Sequence, residues 1–252
     1  MIQNKDRFDQ LIADALAQDF EGWDFSYLAG RITTEELPWD YGDEVRQNLK
    51  DAESMIDMGT GGGEFLSSLV PLPSQTVATE GWSVNVPVAQ QRLAPLGVDV
   101  VHVADKHLLP FDSNSFDLIL NRHDAFDADD VYRVLKPDGY FITQQVGGKN
   151  SIHFNELLDA PAPLYQDILL DSSVKALADA GFDIIDAIES FPEERFLDIG
   201  AVVCHLTVIS WQVPDFSVEA YYEQLGQLHN MIEADGYLSI PAHRFFIKTH
   251  KL

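Results

Sequence analysis

Apolar residues recur along this chain with two periods. Between residues 4 and 20, Phe8, Leu11, Ile12, Leu16 and Phe20 stand three or four apart, which places them on one face of a helix. Val218, Tyr221, Tyr222, Leu225, Leu228 and Ile232 repeat that spacing near the other end, and Gly236 supplies a stop. From Ser54 onward, short apolar runs alternate with helical spacing, the pattern of a doubly wound parallel sheet. It predicts strands over 54–58, 76–79, 99–103, 116–120, 140–145 and 182–188, with a last one near 240–249. Helices are expected over 42–49 and 171–180 and after Gly63, Asn85 and Asp127, and Lys136, Pro137, Asp138 and Gly139 read as a turn. Residues 21–42 carry Trp23, Phe25, Tyr27, Trp39 and Tyr41 without a helical period and suggest a cap, while 190–214 yield no clear element.

The chain of 252 residues is long enough for one large domain with a modest cap. We therefore expect an N-terminal helical cap over 1–50 and an α/β domain over 51–252, with 148–240 partly an insertion. A formal charge of −25, from 41 acidic and 16 basic side chains, repels phosphate backbones and disfavours nucleic acid as a partner. Cys204, the single cysteine, has no internal disulfide partner and suits a reducing compartment. Neither a signal peptide nor a run that spans a bilayer is visible, so a cytoplasmic protein without membrane contact is expected. His153, His229, His243 and His250 lack metal-ligand spacing, no G-x-S-x-G elbow occurs, and no metal is expected.

The strongest chemical signal is MIDMGTGGG over 55–63, an apolar strand running into Gly59, Gly61 and Gly63. Glycines there permit a sharp turn and a close ligand approach, and the helix that follows offers unpaired N–H groups. A dinucleotide fingerprint counted from Gly59 puts Glu64 where its third glycine belongs, which argues against a nicotinamide dehydrogenase. Glu80 ends the second strand, where a carboxylate can accept from two ribose hydroxyls.

Together the D-x-G-x-G-x-G turn, Glu80, the D-x-x-x-LPF stretch from Asp105 to Phe111 and RVLKPDG over 133–139 resemble class I S-adenosylmethionine-dependent methyltransferases. Within that class the chain looks most like the small-molecule type with a ubiquinone-biosynthesis-methyltransferase-like core. The resemblance implies a Rossmann-like seven-stranded, mostly parallel sheet flanked by helices, in the order 3-2-1-4-5-7-6 with strand 7 antiparallel. It implies S-adenosylmethionine as cofactor, with Asp57, Met58, Gly59, Thr60, Gly61 and Gly63 at the turn. Glu80, Gly81 and Trp82 would meet the adenosine, Asp105 and Lys106 the adenine, and Asn121 and Arg122 the methionine end.

No NPPY or DPPY follows the fourth strand, where amino-methylating nucleic-acid enzymes carry one; the chain reads Asn121, Arg122, His123, Asp124. His123 is the candidate general base. Arg31, Trp39 and Tyr41 are candidate residues for a small-molecule acceptor, against the plainer roles of ion pairing and packing. A non-catalytic module that binds S-adenosylmethionine and an rRNA or tRNA methyltransferase are the alternatives.

Overall fold

The computed structural model describes residues 1–18, 26–104 and 108–252. Phe20, Trp23 and Phe25 of the expected cap lie outside the described residues. In chain order the elements are α1 (Lys5–Leu16), β1 (Ile32–Thr34), α2 (Tyr41–Leu49), β2 (Ser54–Met58), α3 (Glu64–Ser67), β3 (Gln75–Glu80), α4 (Asn85–Leu93), β4 (Asp99–His102), β5 (Phe116–Arg122) and α5 (Ala128–Val134). There follow β6 (Leu135–Val146), α6 (Ile152–Leu158), α7 (Leu170–Asp179), β7 (Asp183–Ser190), β8 (Glu193–Phe196), α8 (Ile199–Val208), α9 (Tyr222–Asp235), β9 (Leu238–Pro241) and β10 (Arg244–His250).

These elements form two compact units. One comprises Pro38–Val146, Leu170–Glu189 and Phe245–Leu252; the other comprises Met1–Leu37, Gly147–Leu169 and Ser190–Arg244. The division differs from the expected boundary at residue 50. Val45 of α2 is buried in the sheet unit's core, and the hydroxyl of Tyr41 lies 3.2 Å from the carbonyl of Asn121 and 3.3 Å from that of Ile142.

The sheet unit carries a seven-stranded sheet in the order β4-β3-β2-β5-β6-β10-β7. Counted within this sheet alone, that is 3-2-1-4-5-7-6, the order the resemblance implies. β2 pairs in parallel with β3 and β5, as β4 does with β3 and β6 with β5. β10 runs against β6, because Lys251 exchanges backbone bonds with Asp138 and Gly139 while His243 accepts from Gly147. Alternate residues of the strands feed two cores, as the pleat requires. Met55, Leu118, Leu120 and Ile142 pack with Val45, Ala89 and Leu93 on one face; Ile56, Ile119 and Phe141 pack with Val131, Val134 and Leu177 on the other.

The expected turn at 136–139 is a bulge inside β6. Pairing jumps from Phe116↔Leu135 to Leu118↔Tyr140, and Asp138 takes a φ of 63°.

In the other unit α1, α6, α8 and α9 enclose a core around Phe8, Phe154, Phe196 and Val203, beside a three-stranded sheet β1-β8-β9. Apolar residues surround α8 on nearly all sides, which hid its helical period from sequence inspection. Leu16 is exposed rather than on the buried face of α1. The strand expected near 240–249 is two strands, β9 and β10, in different sheets, separated at Ala242, whose N–H turns to the carbonyl of Pro192. Among the described residues, no helix is long and apolar enough to cross a membrane.

Candidate active site

β2 ends at Met58, and the chain then turns through Gly59, Gly61 and Gly63, all with φ between 62° and 80°. Gly59 and Gly63 are sterically required. A methyl group on Gly59 would stand 2.5 Å from the side chain of Asp124, and one on Gly63 would stand 2.8 Å from that of Leu93. Gly63 thus performs the close helix packing assigned to the third glycine of a dinucleotide fingerprint, one position early. The helix that follows, α3, has only four residues, too few to build the macrodipole expected of it.

Glu80 locks this turn. Its Oε2 accepts from the N–H of Gly61 at 2.7 Å and its Oε1 from the N–H of Trp82 at 2.7 Å, with the side chain almost fully buried. The carboxylate therefore faces the glycine turn and retains lone pairs beyond those two bonds. The N–H of Thr60 binds the carbonyl of Thr79 at 2.9 Å and that of Gly59 the Thr79 hydroxyl at 3.4 Å, so β3 and the turn are tied at three points. Arg92, which inspection of the sequence missed, reaches from the last turn of α4 to the carbonyl of Gly62 and the carboxylate of Glu64.

Asp57 is buried at the end of β2, and desolvation pushes its carboxyl up to about 6. The Arg122 guanidinium opposes that rise, whereas Asp124 and Glu80 add to it. Arg122 itself is exposed, with its guanidinium 4.8 Å from the ring centre of Phe65. Asn121 is wholly buried; its Oδ1 accepts from Thr143 and Gln145, while its Nδ2 has no partner among the described residues. A buried amide donor left open at a strand end is costly unless a ligand fills it.

Asp124 lies over Gly59 and, with Met58, Thr79, Gly81, Val103, Leu109 and Ala125, lines a cavity of about 10 Å³. That volume admits about one water-sized sphere.

Two motifs that looked separate in the sequence form one structure. Arg133 of RVLKPDG binds Asp130 and donates to the carbonyls of Phe111 and Leu109, and Asp130 accepts from the N–H of Leu109. The arginine thus anchors the LPF stretch. Asp105 and Lys106, the expected adenine contacts, lie outside the described residues.

Of the expected acceptor residues, Tyr41 is a core side chain against Phe65 and Phe246. That is the packing role weighed for it beside the acceptor role. Arg31 belongs to the other unit, where Tyr27 and Asp198 hold it. Trp39 donates its indole N–H to Gln144 at 2.8 Å, and Gln144 in turn meets the imidazole of His123 at 3.0 Å. Nothing in the sequence marked Gln144 or Gln145, whose spacing carries no motif, and Asp124 stood out only as the last residue of the run that follows the fourth strand.

Residues 56–143 match the family model described as a methyltransferase domain. The fold of this chain is similar to that of a putative methyltransferase from Bacillus halodurans C-125, at 18% identity over 84% of this chain and 98% of that one, with a TM-score of 0.61. A SAM-dependent methyltransferase from Aquifex aeolicus aligns over 99% of both chains at 16% identity and a TM-score of 0.51. The [4+2]-cyclase SpnF aligns at 17% identity over 97% of this chain and 94% of that one, with a TM-score of 0.55. No curated protein matches the chain. The glycine turn, Glu80, Asn121 and Arg133 all fall within residues 56–143 that match this family model.

Proposed function

We propose that the chain is an S-adenosylmethionine-dependent methyltransferase acting on a small-molecule acceptor. The observation that carries this reading is Glu80, a buried strand-end carboxylate bonded to the N–H groups of Gly61 and Trp82, so that acid and glycine turn form one rigid edge. Its remaining lone pairs suit two ribose hydroxyls. Asp57 and Asp124 give the crevice a negative field that suits a cationic ligand, and Asn121 Nδ2 offers it an unfilled donor. Asp105 and Lys106 remain the residues proposed for the adenine. When bound, the cofactor supplies an already activated methyl group, so the chain's task is to hold the acceptor in line and exclude water.

Calorimetry tests the reading. S-adenosylmethionine and its demethylated product should both bind, and Glu80→Ala should weaken binding by about 1–3 kcal/mol. Absence of binding by either compound at millimolar concentration removes it.

The similarity to a protein described as a [4+2]-cyclase favours one second reading, a chain that uses the same fold for a reaction other than methyl transfer. Formation of S-adenosylhomocysteine with a panel of acceptors decides between the two. The charge of −25 supports a small molecule over RNA, and steeply salt-dependent RNA binding would reverse that choice. The unpaired, buried Cys204 supports a place in the cytoplasm, which fractionation of cells checks.

A further inference from the structure

His123 follows β5 with a left-handed backbone, at a φ of 62°, a conformation in which histidine is enriched among non-glycine residues. One residue holds it at two points. The N–H of His123 donates to the carbonyl of Gln144 at 2.8 Å, and the Gln144 side-chain amide lies 3.0 Å from Nε2 of the ring. His123 immediately precedes Asp124, which lies on Gly59.

The direction of that second bond follows from Trp39. An indole nitrogen only donates, so the atom of Gln144 that meets it at 2.8 Å is the oxygen, Oε1. The NH₂ end of the same amide therefore faces His123, and Nε2 of the imidazole must accept. A neutral imidazole that accepts at Nε2 carries its hydrogen on Nδ1. Gln144 is 8% exposed, so water does not compete freely for the amide.

We propose that Trp39 and Gln144 are positioning residues that hold His123 in its Nδ1–H form, so that its Nε2 does not act as the general base. The Nε2 lone pair is spent on Gln144. An acceptor brought to this edge must arrive as a nucleophile that needs no proton removed by His123. In that transfer the acceptor's nucleophilic atom forms the new bond to the methyl carbon, the carbon–sulfur bond breaks with its electron pair passing to sulfur, and His123 takes up no proton. The role in methyl transfer rests on the methyltransferase reading; the tautomer does not.

Imidazole nitrogen shifts of the apoprotein, read by two-dimensional ¹⁵N NMR on ring-labelled histidine, test the proposal. Wild type should show a bare Nε2 and a protonated Nδ1 at His123. Gln144→Glu, whose second oxygen can only accept, should move the hydrogen to Nε2, and Trp39→Phe should give a mixture of both forms. A protonated Nε2 in wild type, or one unchanged spectrum in all three proteins, overturns the proposal. Should Gln144→Glu fail to fold, wild type and Trp39→Phe still decide it. The measurement needs no cofactor, so a failed calorimetric titration would defeat the methyltransferase reading and leave the tautomer standing.

Discussion

Asp57 in the sheet unit and His205 in the other unit are buried ionisable side chains, and desolvation moves both toward the neutral form, Asp57 up to about 6 and His205 down to about 4. Their surroundings differ. Asp57 ends a strand beside two further acids, Arg122 and an open amide donor, where an incoming cation can favour its charged form. His205 lies against the rings of Phe154 and Phe196, and its Nε2 has no partner among the described residues. A buried titratable group is thus not enough to mark a site. Position at the carboxyl ends of parallel strands, where the backbone already leaves a crevice, separates the two cases.

The largest test of this contrast removes charge from the unit without the crevice. Arg244 is buried against Glu194 and Asn150, and Glu194 is pushed up by its own burial. Arg244→Met leaves that acid unpaired and should lower the unfolding free energy by about 3–5 kcal/mol. Below its melting range the variant should bind S-adenosylhomocysteine as wild type does. Adding Glu194→Gln should recover a large part of the loss, because the penalty lies in the orphaned charge. A large fall in affinity with little loss of stability would break the contrast, since Arg244 would then serve the ligand.

Next in size is a pair of pH effects with opposite sign. The folded value of Asp57 lies above its ordinary 3.8, so its contribution to stability is fully present below pH 3.8 and is lost as pH rises through about 6. For His205 the folded value lies below its ordinary 6.5, so stability is intact above pH 6.5 and is lost as pH falls toward 4. Each shift corresponds to something on the order of 3 kcal/mol. Urea titrations across pH 3.5–7 should show Asp57→Asn gaining on wild type toward the upper end and His205→Phe gaining toward the lower. Parallel curves for a variant and wild type would mean that its residue titrates normally.

The same contrast governs what was legible in the sequence. In the sheet unit the central strand runs were visible, because strands covered on both faces read as short apolar stretches between turn residues, and the glycine turn needs residue types that few other structures need. The acids at 57 and 80 could be placed because strand ends are countable. What stayed hidden depends on contacts distant in sequence. Gln144 matters only because Trp39 and His123 meet it, and Asp124 only because Gly59 leaves room for its side chain. In the other unit α8 has no polar face to reveal its period, and β1, of three residues, pairs with β8 more than 150 positions away. Such pairing is set by packing and leaves little local trace.

The smallest expected effect concerns how the glycine turn is held ready. Arg92 and Glu64 are both well exposed, so their ion pair should contribute less than about 1 kcal/mol, and Arg92→Ala should hardly change the urea midpoint. The guanidinium also holds the carbonyl of Gly62, however, and a turn released at that point has to be ordered by the ligand. Affinity for S-adenosylhomocysteine should then fall about threefold, or ~0.6 kcal/mol. Unchanged affinity in Arg92→Ala, beside weakened binding in Glu80→Ala, would place all of the turn's preorganisation in the two bonds to the Glu80 carboxylate. A loss in Arg92→Ala as large as that in Glu80→Ala would mean instead that the exposed side of the turn governs the crevice, and that burial is the wrong guide to which groups prepare it.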